Sequence, residues 1–381
     1  MPITRRKTLA ILGGGTILAA GSMAYAVTRP QQTAHLPWQA AGHYEDVRRN
    51  ALSYAILAPN PHNRQPWIVD LSSPDQVTLY VDTNRLLPHT DPFSRQIVIG
   101  LGCFLEVMAL AGAQQGAGVT FDIFPEGDDP EALDQRPVAV ARFSAGTGVA
   151  EPALFDEVLN RRSLKEPYDT SQPVADATLA ALSGSVIHGS GISTTNETNR
   201  VQDLRDLTIH AFRTEFATPR TYKESVDLFR IGRREIDANP DGLDLSGPMF
   251  EALRMTGLFS RVTAIDPEGF GFKSGLDMVT ATAATGMAYA WLMTDGNSRA
   301  DQIRAGRDWV RLNLTATALG LGVQPMSQAL QEFPEMADQY ARAHEMLAPE
   351  GGTVQMLGRL GYGPTVGQSP RWPLEAKLRK V

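Results

Sequence analysis

The chain has 381 residues, of which 43% are hydrophobic, and this length and composition fit two domains or one large globular unit. Its net charge of -7 leaves no basic excess, so nucleic acid is not expected as a partner. Cys103 is the only cysteine, which excludes an intrachain disulfide, and the seven histidines contain no HExxH motif and no close pair, which leaves little support for catalytic zinc.

The first residues resemble an export signal. Arg5 and Arg6 precede an apolar segment, and Ala24-Tyr25-Ala26 follows it as a small-residue cleavage site. The adjacent arginines and Gly13-Gly14-Gly15 favour the twin-arginine (Tat) pathway, with the Tat translocase as a transient partner and the periplasm as the destination. We therefore predict a signal peptide over residues 1–26; Sec export and an uncleaved membrane anchor are the alternatives.

Export of this kind favours a class of protein. The twin-arginine pathway carries folded proteins, commonly around a cofactor, so we expect a cofactor-bearing periplasmic protein. We find no other apolar run that approaches twenty residues, which argues against a polytopic membrane protein and predicts no stable membrane span after cleavage.

A proline-rich segment from Ala58 to Trp67 follows an apolar run that predicts a helix. Pro59, Pro61 and Pro66 each remove a backbone donor and fix φ, so the segment is neither a helix nor a strand. We call it the proline loop. Its rigid backbone presents amide side chains, which suits a flat ligand with polar edges because little ordering is needed on binding. The amide side chains are those of Asn60, Asn63 and Gln65.

Two later segments of the chain match each other without a gap. When Ile99 is aligned with Ile303, three pairs of glycines coincide, and both segments predict buried helices that end at glycine. Strands are predicted downstream of each, at residues 137–143 and 353–360. The sequence thus predicts two repeated α+β halves, at about residues 40–145 and 150–376. The alternative is a chance alignment of two glycine-rich amphipathic helices.

The second half contains an insertion at about residues 200–260. Apolar residues recur there at helical spacing, and Asn239-Pro240-Asp241-Gly242 interrupts them with a turn signal. The insertion is compatible with a helical lid and with ordinary packing.

The start of the second half carries a basic cluster. Arg161, Ser163 and Lys165 alternate, so on an extended strand they would point the same way and offer a phosphate a guanidinium, a hydroxyl and an ammonium group. Arg162 lies between them. Taken alone, such a cluster is more often part of the solvated surface.

Four motifs together resemble the FMN-dependent nitroreductase family. The proline loop is similar to its Pro-Ser-x-x-Asn-x-Gln-Pro-Trp signature, and the basic cluster to its Arg-Arg-Ser-x-Arg/Lys motif. Gly320-Leu321-Gly322 resembles a family segment, although Ser327 and Gln328 stand where the family has Glu-Gly. The tail around Arg371 resembles the closing Arg-x-Pro-Leu segment, with Ser369 in place of a second basic residue. The resemblance covers about residues 43–145 and 152–376.

The resemblance implies a fold and a cofactor. Nitroreductases are homodimers in which the Arg-Arg-Ser motif and the tail arginine of one subunit meet the Asn-x-Gln-Pro-Trp loop of the other over one flavin. Here the loop lies in the first half, and the basic motif and tail lie in the second. The chain is thus similar to the Acg-like branch: two α+β halves, each a central antiparallel-type sheet flanked by helices, would form an intrachain pseudo-dimer with one FMN site.

The resemblance also assigns roles to individual residues. The tail and motif residues would hold the FMN phosphate, Lys165 would stabilise negative charge on the reduced flavin, and the proline loop would line the ring. The backbone at Ser327 and Gln328 would face the flavin N5 and O4. The candidate cofactor-binding residues are Asn60, Pro61, Asn63, Gln65, Arg161, Arg162, Ser163, Lys165, Ser327, Gln328 and Arg371.

Two residues near these motifs have simpler interpretations. His62 could donate a proton, but a hydrogen bond at a helix end or exposure to solvent is the more common situation for such a histidine. Cys103 occupies a helix-core position in the repeat and is interpreted as an inert packing residue.

Three functions remain open at the level of sequence. The first is an FMN oxidoreductase that passes a hydride or electrons to a small electron-poor substrate, such as a nitroaromatic compound or a quinone. The second is a protein that binds or sequesters FMN without turnover. The third is a structural protein whose flavin site has decayed, as Ser369 and the Ser327-Gln328 pair would allow. The sequence decides neither the electron donor nor whether two chains associate.

Overall fold

A computed structural model describes residues 33–379. The predicted signal peptide, residues 1–26, lies outside the described residues. The first half consists of one antiparallel sheet with helices packed against it. Its elements are α1 Leu36–Ala40, α2 Val47–Ala55, β1 Trp67–Asp70, β2 Gln76–Val81, α3 Arg95–Gln114, β3 Ala117–Ile123 and β4 Ala139–Ala145.

The second half repeats this plan around an insertion. It begins with α4 Pro152–Phe155, α5 Asp176–Ser183 and β5 Gly191–Thr195. The insertion follows as α6 Thr198–Ala217, α7 Pro219–Asp227, β6 Phe229–Ile231, α8 Arg233–Ala238, β7 Leu243–Leu245, α9 Pro248–Met255, α10 Arg261–Ala264 and α11 Phe270–Ala283. The half ends with β8 Ala288–Thr294, α12 Arg299–Ala318, β9 Gly322–Pro325, α13 Ala337–Leu347 and β10 Thr353–Gly361.

The two sheets have the same topology. The strand order is β1-β2-β4-β3 in the first half and β5-β8-β10-β9 in the second, so each sheet orders its strands first, second, fourth and third along the chain. All neighbouring strands in both sheets are antiparallel. The predicted fold class, α+β with two repeated halves, is confirmed. The strands predicted at residues 137–143 and 353–360 are β4 and β10, which occupy the same place in each sheet.

The two halves meet where α3 crosses α12. A Cβ atom on Gly102 would clash with the carbonyl oxygen of Ile303, and one on Gly306 would clash with that of Ile99. The Cys103 thiol donates a hydrogen bond to the Gly306 carbonyl oxygen over 3.1 Å at the same crossing. These contacts need both positions to lack a side chain, so the aligned glycine pair lets the two helix backbones touch.

Helix α3 is buried rather than exposed to lipid. It is long and apolar enough to span a membrane by length and composition, and 89% of its most apolar 18-residue window is buried inside the protein. The expectation that no second apolar run approaches twenty residues is therefore wrong. This helix has protein on all sides and is therefore apolar all round. Hydrophobic periodicity cannot distinguish such a helix from a membrane span.

The insertion joins β5 to β8, where the first half has only a short connection between β1 and β2. It runs from α6 to α11 and so extends beyond the predicted residues 200–260. Helix α6 buries Leu204, Leu207 and Phe212, as the helical spacing indicated. A short parallel pair, β6 with β7, forms in its middle.

The glycine crossing predicts the effect of adding a single methyl group. We expect Gly102→Ala and Gly306→Ala each to lower the free energy of unfolding by about 1–3 kcal/mol, because the rigid carbonyls opposite cannot move aside. The midpoint of urea unfolding measures this change.

Gly275→Ala in α11 is the matched control. Its new Cβ would have its nearest neighbour at 3.7 Å, so we expect helix propensity to raise stability by up to about 1 kcal/mol. Equal midpoints for all three variants would contradict the close approach of α3 and α12.

Candidate functional site

The proline loop is held in a strained, fixed conformation. His62, Asn63 and Gln65 have φ values of 48°, 50° and 49°, in the left-handed region that non-glycine residues rarely adopt. Asn60 braces the turn, because its Oδ1 accepts from the Gln65 N–H over 2.7 Å and its Nδ2 donates to the Ala58 carbonyl over 3.1 Å. The backbone conformation of this loop is thus set before any ligand binds.

Pro61 lies against the middle of α3. A Cβ atom placed on Gly100 would be 3.2 Å from the Pro61 Cδ and 3.2 Å from the Asn60 Cβ. The loop is therefore seated on the same helix that crosses α12. This position brings it to the junction between the halves.

Arg371 reaches the proline loop from the tail and fastens it. Its guanidinium donates to the carbonyl oxygens of Ile56, Leu57 and Ala58, which follow the end of α2, over 3.1, 3.1 and 3.3 Å. It also donates to the Asn63 Oδ1 over 2.7 Å and to the Pro370 carbonyl over 3.0 Å.

This pattern corrects the expectation that Arg371 offers its guanidinium to a phosphate. All five of its N–H groups are used by acceptors within the protein. Carbonyls left over at a helix C-terminus attract a cation, which accounts for this arrangement. Arg371 is a positioning residue for the loop.

Gln65 also has a structural place rather than a free amide. Its side chain is fully buried. Its Nε2 donates to the Pro240 carbonyl over 2.7 Å, and its Oε1 accepts from the Trp372 N–H over 2.9 Å. The expectation that Gln65 contacts a ligand with its side chain is therefore wrong, because its polar atoms join the loop to the insertion and the tail.

Arg161 is a buried cation with no salt-bridge partner among residues 33–379. Its side chain is buried, at 5% exposure, and its Nη1 has no hydrogen-bond partner. Among the described residues, no acceptor is found for any of its guanidinium N–H groups. Burial lowers the pKa of this guanidinium to about 10. A buried guanidinium without an acceptor indicates an anionic ligand at this position.

Arg162 lies beside it on the face of an indole. Its guanidinium carbon is 4.7 Å from the centre of the Trp38 ring, and that of Arg371 is 5.6 Å from the same ring. The Arg162 Nη1 donates to the Leu159 and Arg161 carbonyls, both over 2.8 Å, whereas its Nε is buried without a partner. Trp38 thus stabilises two of three neighbouring cations through its π-system.

Burial and the neighbouring Arg161 both lower the pKa of Arg371, to about 9. The arginines of the basic cluster and the tail therefore lie close enough to repel one another. An anion between them would relieve that repulsion.

The rest of the basic cluster is irregular chain, not a strand. One backbone hydrogen bond, from the Leu164 N–H to the Val323 carbonyl over 2.9 Å, ties it to β9. Ser163 is partly buried, and Lys165 is exposed without a salt bridge to any residue between 33 and 379. Lys165 acts electrostatically on His62 of the proline loop, so the cluster and the loop face the same region.

Ser327 and Gln328 begin a 3-10 turn, Ser327–Leu330, after β9. The Gln328 side chain approaches the buried carboxyl group of Glu215 in α6. This part of the predicted site therefore meets the insertion.

The insertion is anchored over the proline loop through the turn at residues 239–242. Asp241 accepts a short hydrogen bond from Arg85 and one of 2.6 Å from Arg230. The Gly242 N–H donates to the Asn63 carbonyl over 3.3 Å. These contacts fasten this turn of the insertion to the proline loop and to Arg85 of the first half.

The structure thus brings most of the predicted residues to one junction, and it adds others. Trp38, Glu215 and Asp241 were missed, and so was Ser225, whose Oγ lies 3.0 Å from the His62 Nε2. One signal was available for Glu215: it continues the buried spacing of Leu204, Thr208 and Ala211 along α6, where a carboxyl group is unexpected. Cys103 is buried, and burial raises the pKa of its thiol to about 12, which confirms it as an inert packing residue.

The chain is similar in sequence to proteins of Mycobacterium tuberculosis. It is 26% identical over 333 residues to "Putative NAD(P)H nitroreductase acg", covering 85% of this chain and 92% of that protein. It is 24% identical over 336 residues to "Putative NAD(P)H nitroreductase Rv3131", covering 84% and 87%. The chain is thus similar to these two proteins over most of its length. No family model matches it.

Two solved structures have low similarity to the chain. One is the FMN-dependent nitroreductase NfnB from Mycobacterium smegmatis in complex with NADPH, at 16% identity and a TM-score of 0.37, covering 60% of this chain and 98% of that one. The other is a nitroreductase, so described with the qualifier "putative", from Anabaena variabilis, at 13% identity and a TM-score of 0.40, covering 90% and 91%.

The contrast between two buried arginines gives a test. In protein that carries no bound anion, we expect Arg371→Met to lower the free energy of unfolding by more than about 2 kcal/mol, since buried carbonyls lose their donors. We expect Arg161→Met to leave stability unchanged or to raise it, because that cation has no acceptor to lose. Urea unfolding of both variants measures the difference, and an equal loss in both would show that Arg161 has protein partners.

Proposed function

We propose that the chain is an FMN-dependent oxidoreductase of the nitroreductase type that reduces a small electron-poor substrate, of the nitroaromatic or quinone class. The observation that carries the proposal is the buried guanidinium of Arg161, which has no acceptor among the described residues, beside a second buried orphan donor on Arg162. Similarity to named nitroreductases over most of the chain supports it.

The residues at the junction fit the FMN phosphate. Arg161 and Arg162 supply unpaired N–H donors, and Ser163 supplies a hydroxyl group next to them. Guanidinium groups suit phosphate because their N–H groups match its oxygens in pairs. Arg371 contributes positive potential and holds the proline loop in place.

When bound, FMN accepts and returns a hydride or an electron pair. The chain's residues have to orient the ring, exclude water and balance charge. The proline loop offers a preset surface at Asn60 and Pro61, seated on Gly100 of α3. Lys165 is exposed and has no salt-bridge partner among the residues that the structure describes, so its ammonium group can approach negative charge that develops on reduction.

The second half contains a position that the repeat relates to the Arg161 site. The contacts at that position support a single FMN site in each chain. In the alignment of Ile99 with Ile303, Cys103 corresponds to Arg307. Cys103 lies near the unpaired Arg161, whereas the Arg307 Nε donates to the Glu106 Oε2 over 2.8 Å. Arg311 also pairs with Glu106, over 2.9 Å. The cations of the second position are thus neutralised within the protein, which leaves no need for an anionic ligand there.

A second candidate function is FMN binding without turnover. The anchored insertion favours FMN binding without turnover, because the contacts at residues 239–242 fasten the insertion to the proline loop. The two functions separate on one measurement. Fast reoxidation of the dithionite-reduced protein by menadione supports the oxidoreductase, and reoxidation no faster than by dissolved oxygen alone supports the binding protein.

Removal of the unpaired guanidinium tests the site. We expect Arg161→Ala to weaken FMN binding by about 10- to 150-fold, because one charge-assisted contact with the phosphate is worth about 1.5–3 kcal/mol. Flavin absorbance in the purified protein and titration with FMN measure the affinity.

Arg304→Ala is the control, since Arg304 is a guanidinium on α12 that pairs with the nearby Asp301. Its variant should bind FMN normally. Equal binding by all three proteins, or no FMN uptake by the unaltered chain, would refute the proposed site.

We also propose export through the twin-arginine pathway, on the strength of Arg5-Arg6 and the apolar segment that follows. Replacing both arginines with lysine should retain the protein in the cytoplasm, because the pathway reads the arginine pair. Cell fractionation with and without the Tat translocase measures this retention, and export of the Lys-Lys variant would contradict it.

A further inference from the structure

Three side chains form a hydrogen-bonded line from the insertion to the proline loop. The His62 Nε2 is 3.0 Å from the Ser225 Oγ, and the Ser225 hydroxyl lies 3.4 Å from the Glu215 Oε1. Glu215 is on α6, Ser225 is on α7 and His62 is in the first half, so the line crosses the boundary between the halves. None of the three was among the residues assigned to the cofactor.

The Glu215 end of this line is a buried acid. The residue is 5% exposed, and burial raises the pKa of its carboxyl group to about 7. Glu224 raises it further, while the side chains of Gln331, Ser225 and Gln328 act in the opposite direction. Glu215 can therefore hold a proton near neutral pH, where an ordinary glutamate has lost it.

The His62 end remains neutral near pH 7. Burial lowers the pKa of its imidazole to about 4, and the charges on Lys165 and Arg64 contribute in the same direction. The Ser225 hydroxyl donates to the Glu215 Oε1 when Glu215 is a carboxylate. When Glu215 is protonated, its O–H can donate to the Ser225 Oγ, which leaves the Ser225 hydrogen for the His62 Nε2 and places the imidazole hydrogen on Nδ1. Among residues 33–379, no acceptor binds the His62 Nδ1. The charge of Lys165 acts on the same imidazole.

We propose that Glu215, Ser225 and His62 form a proton relay that delivers one proton to the substrate reduced at this site. The inference rests on the proposed function and adds the residues that supply the proton. Glu215 gives its proton to Ser225, Ser225 gives its own to the His62 Nε2, and His62 releases the Nδ1 proton. Glu215 becomes a carboxylate. After the product leaves, Glu215 takes up a proton from solvent and the His62 imidazole exchanges its Nε2 hydrogen for one on Nδ1, which restores the starting state.

The stoichiometry of a quinone reduction requires a source for a second proton. Conversion of a quinone to a hydroquinone takes up two electrons and two protons, and a hydride brings both electrons with one proton. The remaining proton has to come from the protein or from water. The insertion contacts the loop at Gly242 and Ser225. A line of side chains through the insertion is therefore a direct route for that proton.

A merely structural line would behave differently. It would fasten α7 to the proline loop without coupling the protonation of Glu215 to His62. Histidine resonances report this coupling in the full chain and need no bound flavin. In protein labelled with 15N-histidine, we expect the His62 ring signals to shift with a midpoint near pH 7, which is the ionisation of Glu215.

Two variants and one control complete the test. Glu215→Gln keeps the shape of the acid without its proton, and Ser225→Ala removes the link in the middle. Both should abolish the His62 inflection near pH 7. Asp203→Asn removes an exposed carboxylate from the same helix and should leave it intact. Persistence of the inflection in both Glu215→Gln and Ser225→Ala would overturn the relay.

The oxidation of reduced flavin by menadione tests delivery to the substrate. At pH 7, we expect Glu215→Gln and Ser225→Ala to slow this step at least tenfold and to change its solvent deuterium isotope effect, with Asp203→Asn unchanged. Unaltered rates in a yellow Glu215→Gln protein would overturn the relay alone. A chain that takes up no FMN would overturn the proposed function, and the delivery step with it.

Discussion

The close crossing of α3 and α12 is the contact on which the arrangement of the molecule depends. Gly102 and Gly306 let the backbones meet, with the carbonyl oxygens of Ile303 and Ile99 where side chains would otherwise stand. The sheet of each half packs against one of these two helices. Gly100, two residues before Gly102, lies under the proline loop, so one helix carries both the crossing and the contact with the loop.

Three arginines lie at this junction, and the contacts of their guanidinium groups differ. Arg371 uses every donor on carbonyls and on Asn63, and Arg162 lies on the Trp38 ring. Within the described part of the chain, Arg161 has neither kind of partner. Burying a cation without an acceptor costs several kcal/mol in general, and proteins bear such a cost mainly where a ligand repays it. The phosphate of FMN is the anion that we propose for this position, because its oxygens match guanidinium N–H groups.

Much of this could be read from the sequence because it was local or periodic. The prolines predicted the rigid loop, the aligned glycines predicted the repeat, and helical spacing predicted α6. Gln65 and Arg371 could not be placed correctly, because their main partners lie 175 or more residues away and include backbone carbonyls that carry no residue signature. The anchoring turn at residues 239–242 was recognised as a turn, but its contacts depend on how the insertion folds back. Glu215 was missed since a single polar residue on a buried helix face is outweighed by its apolar neighbours.

The central claim is that one chain builds one flavin site from both halves, with the repeat-related position closed by the Glu106 ion pairs. The flavin content of the folded protein tests it most directly. After saturation with FMN and removal of the excess, flavin absorbance and amino-acid analysis give the ratio of flavin to chain. The account predicts one FMN per chain, and a ratio of two, or of zero, would contradict it.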